Sequence, residues 1–310
     1  MKLIQTLAAT MFVLPAAFSA HAATSESFMS EIQIQRQNGL SRQNVAKVTR
    51  VEDGSASKRL ALFEKTLGID AADAVSLTKK NGEVKLEKPD KWLMTIDPSG
   101  TSGFYQNMEA DFQKGFIPAK NVEPSETLIR RFDNSVKEQL KQIFVLDSDE
   151  ELVTVQIRAD VYSSTHSDKR IEGYSLTYYR KKAGTFIIGG GSYLKVGVTV
   201  DGEIVSVRFD WPKYTLESTR EKAAGIEDIV RRAHQIKEKL KIETTKEMEI
   251  KICGMWDDPK PKESKIGLEC IYGNDDVLLK VPAGETFDVQ NVDSKRVLYK
   301  ADKLQEAAHE

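Results

Sequence analysis

The dipeptide Asp201-Gly202 lies between two runs in which apolar and polar residues alternate. Such alternation is typical of strands with one buried face, and Asp-Gly between two of them is a strong signal for a tight hairpin. A two-residue turn predicts four facing pairs: Val200 with Glu203, Val198 with Val205, Val196 with Val207, and Leu194 with Phe209. Because the apolar sides of these pairs coincide, Val198 and Val207 are expected to be buried.

Three more strand-like runs precede this hairpin, at residues 152–162, 171–180 and 185–188. Together they predict an antiparallel β-meander of four to five strands. Two segments with apolar residues at helical spacing, one after Pro124 and one after Pro212, are expected to cover the meander as amphipathic helices. The predicted fold class is therefore α+β. The run at 179–182, Tyr-Arg-Lys-Lys, is interpreted as a solvated strand end.

A smaller N-terminal α+β unit is predicted upstream of these segments. A helix-like stretch at 57–67 precedes two strand-like runs, and the sequence at 97–100, Asp-Pro-Ser-Gly, has the composition of a turn between strands. Residues 24–55 are polar with weak periodicity and predict no element. Pro118 and Pro124 mark the predicted boundary. The predicted organisation is a signal peptide at 1–22, the N-terminal unit at 23–122, and a C-terminal domain at 123–310.

The N-terminus predicts export. Lys2 precedes a short apolar run that ends in Ala20-His21-Ala22, the pattern of a cleaved secretory signal peptide. The run is shorter than the roughly 20 residues that span a bilayer, and no membrane span is expected in the mature chain. An uncleaved, anchored form is the alternative. The mature protein is expected to be periplasmic or secreted.

The composition is that of a globular protein, with 40% hydrophobic and 30% charged residues. The formal net charge is −2. This balance argues against a nucleic-acid partner held by bulk positive charge.

Both cysteines of the chain, Cys253 and Cys270, flank a polar segment at 259–264 that can turn a strand. A hairpin symmetric about that segment places the cysteines opposite each other, with Ile252 against Ile271 and Met255 against Leu268. Since export makes oxidation available, a cross-strand disulfide is predicted. Zinc is less well supported, because two cysteines supply only half of a tetrahedral site.

The disulfide is expected to hold Trp256, Asp257 and Asp258 in a fixed arrangement near the hairpin tip. A tryptophan beside acids on a rigid loop can anchor a partner, so these residues form a predicted binding surface. The alternative is that Trp256 folds back onto the body of the protein and the acids keep the turn soluble.

The sequence contains no enzyme signature. Gly189, Gly190 and Gly191 join strand to strand, which favours a bulge or wide turn over a phosphate-binding loop. Ser192 with His166 could be proposed as a catalytic pair, but no nucleophile-elbow motif surrounds the serine. The acidic run at 147–151 could offer oxygen ligands to Ca²⁺, although it lacks the spacing of a known calcium loop. His166, His234 and His309 lie far apart, with no metal-ligand spacing.

The predicted function is that of an exported, non-catalytic binding or interaction protein. The expected partner is a protein or peptide of the cell envelope, with no cofactor and no metal. The alternative is an extracytoplasmic hydrolase with a site near the edge formed by Gly189, Gly190 and Gly191.

Overall fold

The computed structural model describes residues 44–51, 54–72, 74–109, 117–118, 125–163, 169–258, 266–274 and 276–300. The predicted signal peptide at 1–22, His166, His309 and the hairpin tip at 259–265 lie outside these ranges.

Strands dominate the part of the chain that the structure describes, with 48% strand against 21% helix. The helices in the described residues are α1 (Ala56–Leu67), α2 (Ser125–Ile143) and α3 (Ile226–Lys239), with 3₁₀ turns at Val289–Asn291 and Ser294–Arg296. The strands are β1 (Asn44–Val51), β2 (Val75–Thr78), β3 (Val84–Lys88), β4 (Trp92–Ile96), β5 (Ser102–Asn107), β6 (Ile117–Pro118), β7 (Glu150–Ser163), β8 (Lys169–Lys182), β9 (Thr185–Ile188), β10 (Tyr193–Thr199), β11 (Ile204–Asp210), β12 (Lys213–Lys222), β13 (Glu249–Trp256), β14 (Gly267–Gly273), β15 (Val277–Pro282) and β16 (Val297–Lys300).

The predicted fold class was wrong, because the strands do not form a small meander beside a separate unit. They join into one large mixed sheet. From one end it runs β16-β15-β14-β13-β9-β8-β10-β11-β5-β4-β3-β2, and β7 and β6 also pair with β8. Strands β9 and β13 are parallel, through Met255 with Ile187 and Trp256 with Ile188. The other neighbouring strands of the sheet pair antiparallel.

The physical reason for this extension is that a meander has two edges, each with unpaired backbone N–H and C=O groups. Strand β5 pairs with β11 at one edge, and β13 pairs with β9 at the other. Alternation in the sequence indicates which face of a strand is buried, but not which strand lies beside it. The boundary predicted near residue 122 stays a prediction, and the sheet continues across it through β5 and β11.

The Asp201-Gly202 hairpin forms with a wider turn than predicted. Gly202 has a φ of +92°, its N–H donates to Thr199 O at 3.0 Å, and Thr199 N donates to Glu203 O at 2.9 Å. This is a three-residue turn whose last residue needs positive φ, which glycine adopts at no steric cost. Strand β11 therefore carries one extra residue near the turn, and Val198 pairs with Ile204 rather than with Val205.

Beyond this bulge the predicted register holds. Val196 faces Val207 and Leu194 faces Phe209. Val198 and Val207 are 1% and 0% exposed, so both are buried as predicted.

The two predicted long helices form, but they cover different parts of the sheet. Helix α2 buries Phe132, Val136 and Leu140 in a core shared with β8, β10 and β11. Helix α3 instead packs in a second core with the C-terminal strands, where its Ile229 and Ile236 lie near the residues of β14 and β15. The meander is thus covered by α1 and α2.

A strand also forms where none was predicted. β1 lies in the polar region 24–55 and pairs antiparallel with β12 as a separate two-stranded sheet. Its Val45 and Val48 are buried in the second core. Its Arg50 reaches Asp210 and Asp257.

Candidate functional site

The cysteine hairpin forms as predicted. Strands β13 and β14 pair antiparallel, and Cys253 and Cys270 form a disulfide across them with a Cα–Cα distance of 4.0 Å. The same register places Ile252 opposite Ile271 and Met255 opposite Leu268, so all three predicted pairs are confirmed. The disulfide therefore links the two strands that continue the sheet beyond β9.

The three residues of the predicted binding surface lie in different surroundings. Trp256 is half-buried, with the Lys280 ammonium 4.7 Å from its ring centroid. The Asp257 side chain is only 3% exposed, whereas Asp258 is half-buried. The binding role of this hairpin stays a prediction. Asp257 itself faces the protein interior, where it links the hairpin to the rest of the molecule.

Asp257 belongs to a buried polar network around Arg50. Arg50 Nη1 lies 3.1 Å from Asp257 Oδ2, Arg50 Nη2 lies 3.2 Å from Asp210 Oδ1, and the Tyr214 hydroxyl donates to Asp257 Oδ2 at 2.5 Å. Burial raises the pKa of Asp257, against the opposing effects of Tyr214 and Arg50. Burial also raises the pKa of Asp210 to about 7; Arg50 opposes this shift, and Asp257 adds to it. One guanidinium thus pairs with two carboxyl groups, which connects β1 with β11 and with the residue that follows β13.

The glycine cluster at 189–191 lies against this network. The backbones approach each other closely there, as predicted. A Cβ on Gly191 would lie 2.6 Å from Asp257 Oδ2, and a Cβ on Gly189 would lie 2.4 Å from Asp257 O. Ser192, the nucleophile considered for a hydrolase, is 0% exposed. This segment therefore packs the hairpin against the sheet and leaves no room for a substrate at Ser192 in this conformation.

A cavity of about 250 Å³ lies elsewhere, lined by residues of α1, of the turn at 97–100, of β8 and of the link between β11 and β12. The turn packs on the start of α1, where Ala56 N donates to Pro98 O at 3.2 Å. This contact positions Arg59. Its Nε donates to Gly100 O at 3.0 Å, its Nη1 donates to Ile143 O at 2.5 Å, and its Cζ lies 4.8 Å from the Phe144 ring centroid. The guanidinium makes no ion pair with a carboxylate of the described residues.

A second arginine lines the same cavity. Arg180 is 2% exposed, and its Cζ lies 3.9 Å from the Trp211 ring centroid. Its Nη1 donates to Glu150 Oε1 at 3.1 Å. Its Nε and the indole Nε1 of Trp211 are both buried, with no hydrogen-bond partner among the residues that the structure describes. Less than 1 Å² of either atom is accessible, so these two donors lie behind the surface of the cavity and do not face its open space. We call it the Arg59–Arg180 cavity.

The charges around the Arg59–Arg180 cavity are predominantly positive. The pKa of Arg59 is lowered to about 10, chiefly by burial and also by the positive charge of Arg180, while Asp97 opposes the shift. Burial also lowers the pKa of Arg180, against the effect of Glu150. Both side chains remain cations at neutral pH, so an anion that enters between them is attracted by both. The charged lining residues are Lys58, Arg59, Asp147, Glu150, Arg180 and Lys213.

The acidic run considered for Ca²⁺ binds a lysine instead. Lys182 Nζ lies 3.1 Å from Asp147 Oδ2, 3.0 Å from Asp149 Oδ1 and 3.3 Å from Glu150 Oε1. Burial tends to lower the pKa of Lys182, but the three acids outweigh that effect and raise it. The ammonium group thus occupies the position among three carboxylates where a cation would be bound.

The interpretation of 179–182 as a solvated strand end was wrong for Arg180 and Lys182, since their side chains are 2% and 4% exposed. The signal was present in the sequence. Both residues continue the alternation of Tyr174, Leu176 and Tyr178, which are buried on one face of β8. A basic residue in phase with a buried face indicates a buried, paired cation rather than a solvated one. Arg59 carried no such signal.

The remaining histidine in the described ranges is His234. It is exposed on α3, with its ring centroid 6.4 Å from that of Tyr272. The histidines considered in the sequence therefore contribute nothing to the Arg59–Arg180 cavity within the described residues.

Comparison with known proteins adds no functional information. No protein-family model matches the chain, and no curated protein matches it. The fold is similar to the crystal structure of an uncharacterized protein from Eubacterium rectale, with 8% sequence identity, a TM-score of 0.46, and coverage of 81% of this chain and 85% of that one. Nothing about activity or ligand follows from a likeness at that level.

Proposed function

We propose that this chain is an exported, non-catalytic binding protein that takes an anionic group in the Arg59–Arg180 cavity. The observation that carries the proposal is the pair of arginines that line the cavity. Arg59 is half-buried and its guanidinium makes no ion pair with a carboxylate of the described residues. A ligand that satisfies such groups must supply acceptors, and an anion does so with charge-assisted hydrogen bonds.

Export is supported by two features. The N-terminal pattern is that of a signal peptide, and the Cys253–Cys270 disulfide is of the kind that persists in oxidising compartments. Within the described ranges, no helix has the length and apolarity needed to cross a bilayer.

A binding function is better supported than the hydrolase alternative. A serine nucleophile must reach a substrate carbonyl, and Ser192 is fully buried beneath the glycine cluster. The cavity contains cations and indole, but neither Arg59 nor Arg180 is a general base at neutral pH, because both remain protonated. The two acids of the lining are paired with cations: Asp147 with Lys182, and Glu150 with Arg180 and Lys182.

The proposal is tested by isothermal titration of the mature protein with acetate, sulfate and phosphate at constant ionic strength. Saturable binding of at least one of these anions is expected. Arg59→Gln is expected to lower its affinity about tenfold or more, since a hydrogen bond to a charged group contributes roughly 1.5–3 kcal/mol. Arg59→Lys, which keeps the charge but loses the fork of donors, should give an intermediate affinity.

The matched control is Arg158→Gln, because Arg158 is exposed on β7 and does not line the cavity. Circular dichroism establishes that each variant is folded before titration. Equal affinities of Arg59→Gln, Arg158→Gln and the unmodified protein, or no saturable binding of any anion, would overturn the proposal.

A further inference from the structure

We infer that the anion bound in the Arg59–Arg180 cavity is the C-terminal carboxylate of a polypeptide that ends in an apolar residue. This inference rests on the proposed function and names the class of ligand. It follows from three properties of the cavity: its size, the apolar part of its wall, and the planar donor groups of its arginines.

The size of the cavity fits the end of a chain and not a whole cofactor. Its volume of about 250 Å³ is below the roughly 300–1,000 Å³ that is usual for small-molecule sites. Its lining includes Val145, which is 70% exposed, and Lys213, which is also exposed. The cavity is therefore open to solvent at this side, and the rest of a longer ligand can continue outward.

The wall of the cavity combines donors with apolar surface. Leu62, Val145, Trp211 and Pro212 line it together with the two arginines. A C-terminal residue carries its carboxylate and its side chain on the same Cα, so it can present an acceptor to the arginines and an apolar group to this surface at once. The carboxylate of an internal aspartate or glutamate has no such apolar group attached beside it.

The acids of the lining do not compete for the ligand. Asp147 is paired with Lys182, and Glu150 is paired with Arg180 and Lys182. A carboxylate and a phosphate both match the planar fork of an arginine, but only the carboxylate of a C-terminal residue also brings an apolar side chain to the wall. Capture of a C-terminal carboxylate is also a recurrent mode of peptide recognition.

The test compares four probes by titration of the mature protein: acetyl-Ala-Ala-Leu with a free C-terminus, the same peptide with a C-terminal amide, acetyl-Ala-Ala-Asp amide, and inorganic phosphate. The free-acid leucine peptide is expected to bind at least tenfold more tightly than each of the other three. Arg59→Gln should remove this preference. Val145 is exposed, so Val145→Ser does not put folding at risk. This variant should lower the affinity for the free-acid leucine peptide at least twofold and leave the affinity for acetate unchanged.

Each other outcome has a defined meaning. If phosphate or the aspartyl amide binds as tightly as the free-acid leucine peptide, the inference about the C-terminus is overturned, while anion binding as such stands. If the amidated leucine peptide binds as tightly as the free acid, the carboxylate is not the recognised group and the inference fails. If no probe binds and small anions also fail, both the inference and the proposed function are overturned.

Discussion

Asp210 is the residue at which burial and charge oppose each other most directly. Its side chain is 12% exposed, and it shares the Arg50 guanidinium with Asp257. Two carboxylates near one cation leave a net negative charge in a poorly solvated place, so protonation of one acid relieves the imbalance. The raised pKa of Asp210, about 7, reflects this: burial is the main cause, and Asp257 and Asp97 add to it.

The raised pKa of Asp210 predicts a particular dependence of stability on pH. An acid whose pKa is about 7 in the folded state and 3.8 ordinarily binds a proton in the folded protein that the unfolded chain has released. Its contribution to stability is therefore greatest below pH 4 and is lost as the pH rises to 7. Asp210→Asn should make the free energy of unfolding, measured by urea titration at several pH values, fall less steeply between pH 4 and 7 than in the unmodified protein.

Asp90→Asn is the control for this experiment, because Asp90 is exposed in the turn before β4. It should leave the slope of stability against pH unchanged. If Asp210→Asn and the unmodified protein give parallel curves over this range, Asp210 is not protonated in the folded state at pH 5 to 6, and the account of the Arg50 network is wrong.

Single residues were predictable from the sequence only where their partners are near in the chain. Cys253 and Cys270 were paired correctly because 17 residues and one turn separate them. Asp257 was expected on a surface, but its partner Arg50 lies 207 positions away in a strand that no periodicity predicted. The Arg59–Arg180 cavity was missed for the same reason, since α1 and β8 come together only through the fold of the whole sheet.

At the scale of elements, the β13–β14 hairpin is held by its disulfide as well as by its backbone pairing. A cross-link over 17 residues restricts the unfolded chain and should stabilise the protein by about 3 kcal/mol. The double variant Cys253→Ala and Cys270→Ala is expected to lower the free energy of unfolding by about this amount. The measurement is urea unfolding of the oxidised protein against the variant, with the linear extrapolation to water.

Treatment with a reductant distinguishes the effect of the cross-link on stability from the effect of removing two sulfur atoms from the core. Dithiothreitol should lower the stability of the unmodified protein toward that of the double variant and leave the variant unchanged. An unmodified protein whose stability is the same before and after complete reduction would show that the disulfide contributes nothing to folding.

Hairpins between strands that are close in sequence were predictable. Pairings between strands that are distant in sequence were not. The turn at 97–100 joins β4 and β5 as a hairpin, and the register from Val196 to Phe209 holds, because each is determined by residues close in sequence. The parallel pairing of β9 with β13 joins segments almost 70 residues apart, and nothing in either pattern selects the other. The bulge in β11 was missed because the same Asp-Gly pair can form a two-residue or a three-residue turn.

For the whole molecule, the strand pair β5–β11 joins β2–β5 to the rest of the sheet. The first core also crosses it, because Phe63 of α1 lies 5.8 Å from Phe209 of β11 between ring centroids. Shared pairing and a shared core couple the stability of the segments on either side. We therefore expect residues before and after the predicted boundary at 122 to unfold together.

Gly103 offers a test of this coupling, because a side chain there would disturb both sides of the β5–β11 pair. A Cβ on Gly103 would lie 2.4 Å from Thr95 O and 2.8 Å from the Phe209 ring, so Gly103→Val should destabilise the protein by roughly 1–3 kcal/mol. Native-state hydrogen exchange measures which backbone amides lose protection when the protein is destabilised. If the protein unfolds as one unit, amides of β8 and β10 should lose as much protection as those of β3 and β4. Gly267→Val is the control, since no atom of the described residues beyond its chain neighbours lies within 4 Å of a Cβ at that strand position, and its exchange should match the unmodified protein. Faster exchange confined to β2–β5 would contradict the coupling, and it would support instead a separate N-terminal unit that ends near residue 122.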